Sequence, residues 1–165
     1  MSWVTTMRDA KRSQIDLTIF CVGVISVVGL DRLTKVFFSN LIDINESIAV
    51  IRNVFHFTLV HNTGIAFGLF KDCGAVFIII PLILTGLLAY NIYYHRNSQQ
   101  LTRTYIIAFA LILGGAIGNL VDRIMLGYVV DFIDLRIWPV FNIADSAITV
   151  GAAVVIFKCI PSFSK

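Results

Sequence analysis

The chain has 165 residues, 58% of them hydrophobic and only 14% charged, with a formal net charge of +3. A water-soluble domain is nearer half apolar and a quarter charged, so this composition leaves too little polar surface to face water on all sides. The basic residues are scattered, with no stripe of cations interleaved with aromatics, which argues against a nucleic-acid partner. Lipid is the solvent that fits.

The first fifteen residues are polar and carry Arg8, Lys11 and Arg12. An apolar run follows from Leu17 to Leu30 and continues through Asp31-Arg32-Leu33-Thr34-Lys35 to Phe38. No small-x-small cleavage site follows it, so it reads as a retained membrane helix and not as a cleavable secretory signal. Residues 39–73 are too polar to span, but Phe55, Phe57 and Leu59 recur at period two within Val54–His61, which predicts a strand closed by Asn62-Thr63-Gly64. Further apolar runs cover Gly74–Tyr94, with a kink expected at Pro81, then Tyr105–Val121 and Val140–Ile160. Each approaches the roughly 20 residues a helix needs to cross the hydrocarbon. Backbone polar groups in lipid must be satisfied internally, so the runs are helices. The expected fold is therefore an all-α membrane protein in one domain, 1–165. It has four transmembrane helices, near 17–38, 74–94, 105–123 and 140–160, and a small extracytoplasmic β-sheet insert near 39–73.

Four spans put both termini and the loop His95–Arg103 on one side, with Arg8, Lys11, Arg12, Arg96, Arg103, Lys158 and Lys165 against Asp9 and Asp16. The cations on the other side nearly all stand beside acids, so the termini are expected in the cytoplasm. Tyr93, Tyr94, Tyr105, Tyr128 and Trp138 fall near span ends, as an interfacial belt would.

Ionisable residues inside spans are expensive and mark function by default. Here they cluster at one membrane edge: Asp31 and Lys35 close the first span, Asn119, Asp122 and Arg123 the third, Asp131 and Asp134 follow in a short loop, and Asn142 and Asp145 open the fourth. Asp31/Lys35 and Asn119/Arg123 are i, i+4 pairs, and Asn142/Asp145 is i, i+3, so each helix presents one polar face. Two carboxylates sharing a partly dry site cannot both ionise cheaply, and such a pair holds one proton between them, as in aspartic proteases. A pore or proton-coupled carrier would gather the same groups around a wet cavity. Asp131 and Asp145, in apolar context without an adjacent cation, are the functional candidates. Asp122 reads as a helix-end ion pair with Arg123, Asp31 and Lys35 as an orienting pair, and Asp134 as a solvated residue. The small residues Gly114, Gly115 and Gly118 read as a close helix-packing face, and His56 and His61 as surface residues. Cys21, Cys73 and Cys159 have no C-x-x-C spacing and the histidines no H-E-x-x-H spacing, so no disulfide framework, metal or cofactor is expected.

Five segments together resemble lipoprotein signal peptidase (signal peptidase II). They are Asp31–Lys35, Asn62–Gly68, Gly114–Arg123, Gly127–Phe132 and Phe141–Ser146, in the family's order and spacing. The resemblance implies an aspartic endopeptidase of the bacterial inner membrane that removes the signal peptide from prolipoproteins, cutting just before a diacylglyceryl-modified cysteine. It implies Asp131 and Asp145 as the catalytic pair. Asn62, Asn119, Arg123 and Asn142 would line the site, Asp31 and Lys35 would support it, and Gly64 and Ala66 would let the peptide approach. The implied partners are the lipidated prolipoprotein and membrane lipids, and the implied state is a monomer. The other reading of the same carboxylates is a small transporter or channel.

Overall fold

A computed structural model describes residues 3–64 and 102–159, together with Ile79, Ile83, Gly86, Leu87 and Tyr90. The expected span 74–94, apart from those five positions, and Ala66 lie outside the described residues. The elements are helix α1 (Trp3–Leu41), strands β1 (Ser47–Ile51) and β2 (Phe55–Asn62), helix α2 (Arg103–Leu126), strand β3 (Val129–Asp134) and helix α3 (Ile143–Cys159).

At 39 residues, α1 is about 58 Å long, nearly twice the hydrocarbon thickness. It starts at Trp3 and not near residue 17, because the polar segment before the apolar run holds no Gly or Pro to interrupt the helix. Among the described residues, Gln14–Leu41 of α1 and the whole of α2 are long and apolar enough to cross a membrane. The polarity of α1 is inverted relative to a helix in water. Val22, Ile25, Leu30, Leu33, Val36 and Phe37 stand exposed, while Asp31 and Lys35 are buried. Such a surface suits lipid and would be a large apolar patch in water.

The three helices meet on the small-residue face of α2. A Cβ on Gly114 would fall 2.8 Å from Val27 Cβ on α1, and one on Gly115 would fall 2.4 Å from the Ala144 carbonyl oxygen on α3. Close approach at this face places the polar ends of all three helices side by side. Helix α2 runs three residues past the expected end and stops at Gly127, whose φ of 81° is the left-handed conformation that terminates helices. That turn sends the chain straight into β3. Helix α3 begins at Ile143, later than the expected 140, because Asn142 caps it. The Asp145 N–H donates to Asn142 Oδ1 at 2.9 Å and the Asn142 N–H returns to Asp145 Oδ2 at 3.2 Å, a reciprocal capping box.

The strands form an antiparallel sheet in the order β1-β2-β3. The expected strand is found as β2, but the sheet is not confined to the insert: β3 comes from Val129–Asp134, between α2 and α3. Asp131, expected in a loop, is therefore held on a strand. β3 is buried on both faces, so it lacks the period-two polarity that marks a half-exposed strand. Phe57 and Leu59 of β2 and Val130 and Phe132 of β3 pack on Phe38 and Ile42 at the end of α1. The rings of Phe38 and Phe132 stack with centroids 4.4 Å apart. This small core locks the sheet to α1, and the neighbouring positions of β2 and β3 carry Asn62 and Asp131 on the opposite face.

Candidate active site

Polar side chains converge where α1, α2, β3 and the start of α3 meet. On α1, one turn brings Asp31 and Lys35 together, with Nζ 2.8 Å from Asp31 Oδ2. The same ammonium lies 2.8 Å from Asp122 Oδ2 and donates to Asn119 Oδ1 at 3.0 Å, both on α2. Asp122 also pairs with Arg32 and accepts the Val130 N–H at 3.2 Å. Asp31 accepts the Ala144 N–H at 3.0 Å. Two acids and two bases thus balance one another, with Asp31, Lys35 and Asp122 buried. An ion cluster of this kind is tolerated because each charge has an oppositely charged partner.

This corrects the expected pairing of Asp122 with Arg123. Successive helical residues point about 100° apart, so Asp122 faces α1 while Arg123 turns toward the carboxylates of α3 and β3 and donates to the Asn119 carbonyl at 3.4 Å. Arg32 was missed as a participant. A cation inside an apolar run needs a counter-charge from another element, and that was the available signal.

The two candidate carboxylates sit on the other side of Asn119. Asp131 accepts Asn62 Nδ2 on one oxygen at 2.9 Å and Asn142 Nδ2 on the other at 2.7 Å. Asp145 accepts Asn119 Nδ2 at 2.8 Å and the Asn142 N–H at 3.2 Å. Asn142 therefore bonds to both carboxylates, through its side chain to one and its backbone to the other. Its amide also reaches Asn119 Oδ1 at 3.0 Å and the Val130 carbonyl at 3.3 Å. Gly64 donates its N–H to Asn62 Oδ1 at 3.0 Å and so sets the side chain that holds Asp131.

Burial pushes the Asp131 carboxyl up to about 7; the bonds from Asn62 and Asn142 oppose this, and the nearby charge of Asp145 adds to it. Asp145 lies in the first turn of α3, where the helix dipole favours negative charge. The arrangement offers one carboxyl suited to holding a proton near neutrality beside a second at a helix N-terminus. Asp134, expected to be solvated, is instead buried. Burial opposes its ionisation, but bonds from Thr58 at 2.7 Å and from the Arg136 N–H and guanidinium outweigh this and hold its carboxyl below the ordinary range. It ties β2 to the loop after β3 and takes no part in the pair. A cavity of about 490 Å³ beside the cluster is lined by Arg32, Lys35, Asp43, His61 and Tyr128 among others, and neither Asp131 nor Asp145 lines it.

The site residues expected from sequence are thus gathered by the fold, with Asp31 and Lys35 one layer behind and Ala66 outside the described residues. Residues 23–161 match the family model described as signal peptidase (SPase) II. The lipoprotein signal peptidase of Halothermothrix orenii is 44% identical over 135 residues, which cover 82% of this chain and 90% of that protein. That of Moorella thermoacetica is 41% identical over 139 residues, covering 84% of this chain and 91% of its own. A bacterial membrane enzyme solved by the in meso method at 2.3 Å resolution superposes with a TM-score of 0.75 at 33% identity, covering 84% of this chain and 85% of that one. The helices and small antiparallel sheet described above are accordingly a membrane-enzyme fold. With this coverage by family, relatives and structure together, the chain belongs to the signal peptidase II family and is an aspartic peptidase of that family.

Proposed function

We propose that Asp131 and Asp145 are the catalytic dyad of this peptidase, and that it cleaves diacylglyceryl-modified prolipoproteins just before the lipidated cysteine. The observation that carries the reading is Asn142, which bonds to both carboxylates and ties them into one unit. In the reaction, ionised Asp145 takes a proton from water as the water attacks the scissile carbonyl. Protonated Asp131 gives its proton to the developing oxyanion, and the pair exchange roles as the amine leaves.

Asn62, Asn119, Arg123 and Asn142 line this site, Asp31 and Lys35 support it, and Gly64 and Ala66 leave room for the peptide backbone. The chain lies in the bacterial inner membrane as a monomer with four spans, both termini cytoplasmic and the dyad at the extracytoplasmic edge. That depth suits the substrate, whose acyl chains lie in the bilayer while its peptide leaves it. Reporter fusions after Gln99 should behave as cytoplasmic and fusions within 40–64 as external, and the reverse pattern overturns the orientation. Purified protein incubated with a diacylglyceryl-modified prolipoprotein should yield the mature form as a gel shift. Asp131→Asn and Asp145→Asn should each lower the rate by at least about 10²–10⁴-fold, the usual worth of general acid–base catalysis. Substantial cleavage by either variant rules the dyad out.

A further inference from the structure

Three asparagines hold the two carboxylates, and each amide has a direction. An amide oxygen only accepts and an amide nitrogen only donates, so a neighbour that can only donate fixes which end faces it. Asn62 receives the Gly64 N–H on its oxygen, which turns its nitrogen to Asp131. Asn142 receives the Asp145 N–H on its oxygen, which likewise turns its nitrogen to Asp131. Backbone groups supply both of these locks, and no side-chain substitution removes them.

Asn119 is held differently. Its oxygen receives the Lys35 ammonium at 3.0 Å and its nitrogen donates to Asp145 at 2.8 Å. The only other donor to that oxygen is Asn142 Nδ2 at 3.0 Å, among the described residues, and Asn142 shares that group with the Val130 carbonyl at 3.3 Å. An ammonium has three donors and no acceptor, so it cannot tolerate a flipped amide. Lys35 is itself held by Asp31 and Asp122 at 2.8 Å each and is buried, so it has no other position to take. A flipped Asn119 would set an oxygen against the Asp145 carboxylate, leaving two acceptors facing each other and one donor lost.

We infer that Lys35 is a positioning residue that acts through Asn119: its ammonium fixes the amide so that a hydrogen-bond donor always faces Asp145. The inference rests on the dyad reading and adds to it a reason why a buried cation stands behind a pair of acids without touching either. Its role for the reaction is donation of a hydrogen bond to Asn119, and charge at that position is secondary. A neutral donor of similar shape should therefore replace it, and a neutral non-donor should not.

The test uses the full-length protein in an Asp31→Asn background, which keeps the ion cluster neutral when Lys35 is neutralised and retains an oxygen for the Ala144 N–H. Lys35→Gln and Lys35→Met are compared there by prolipoprotein cleavage and thermal unfolding. The Gln variant should retain most of the turnover. The Met variant should lose kcat by about ten-fold or more relative to it, the size expected for a hydrogen bond to a charged group, with KM and melting temperature equal in the two. Equal kcat in the two variants would overturn the inference. Asn119→Asp leaves the partners of Lys35 in place but turns an acceptor toward Asp145. It should lose kcat at least as far, and near-normal turnover would overturn the inference even if neither Lys35 variant folds. Failure here is separable from failure of the dyad. If Lys35→Gln and Lys35→Met match while Asp145→Asn is dead, only the role of Lys35 falls.

Discussion

Asn62 at the end of β2 donates to Asp131 on β3 at 2.9 Å, although its register partner on that strand is Val129. The bond is a diagonal one across a single sheet face, of the kind that long side chains make between neighbouring strands. Among the described residues, it ties the polar insert directly to one carboxylate of the proposed dyad.

Removing that donor leaves Asp131 buried with one fewer bond favouring its ionised form. Asn62→Ala should therefore raise its carboxyl above about 7 and move the alkaline limb of the pH–rate profile upward. A hydrogen bond to a charged group is worth about 1.5–3 kcal/mol, which sets about one to two pH units as the ceiling for the move. An unmoved alkaline limb would show that Asn62 does not hold Asp131 in the working enzyme.

The same carboxyl makes stability depend on pH. Its folded value of about 7 lies above the ordinary carboxyl value of 3.8, so between these pH values the folded state binds more protons than the unfolded state. Stability should fall as pH rises through that window and level off above it. The loss is on the order of 4 kcal/mol for a shift of this size. Asp131→Asn removes the dependence. Its melting temperature in detergent should exceed that of the parent at pH 8 and approach it at pH 4, and parallel curves would contradict the raised carboxyl.

Gly115 is one of the points where α2 and α3 touch, with the Ala144 carbonyl oxygen 2.4 Å from where a Cβ on Gly115 would be. Gly115→Ala must push α3 away just before Asp145. Overpacking of this kind costs about 1–3 kcal/mol, and here kcat should fall more than KM rises because the displaced residue belongs to the proposed dyad. Gly29→Ala, with nothing within 4 Å of its Cβ, is the control and should leave both unchanged. Equal effects at the two positions would show that helix spacing does not set the dyad.

Asp122 balances Arg32 and Lys35 in the buried cluster. Asp122→Asn leaves a net positive charge there, and breaking a buried pair costs about 3–5 kcal/mol. The variant should be recovered in much lower yield and melt well below the parent. Arg123→Ala, which removes no ion pair of the cluster among the described residues, should instead lower cleavage with normal expression. A stable, well-expressed Asp122→Asn would mean that Arg32 finds solvent or lipid headgroups instead.

Composition and local pattern determined what their range allows. Apolar length marked α1, α2 and α3 as helices, period two marked β2, and i, i+4 spacing put Asp31 with Lys35 on one face, because each of these is decided by neighbours within a turn or a pleat. The motif order singled out Asp131 and Asp145 as well. What the local sequence could not decide is every relation across the chain. Asp131 lies on β3 because that strand pairs with β2, some seventy residues earlier, and is buried on both faces, which erases the alternation that would have announced it. Asp122 turns from adjacent Arg123 to distant Arg32 and Lys35 because the glycine face of α2 brings α1 within reach on that flank. Asn142 joins the two carboxylates because capping α3 fixes its backbone against one while β3 carries the other to its side chain. Hydrogen-bond partners separated by tens of residues are chosen by packing, and only the folded chain contains that choice.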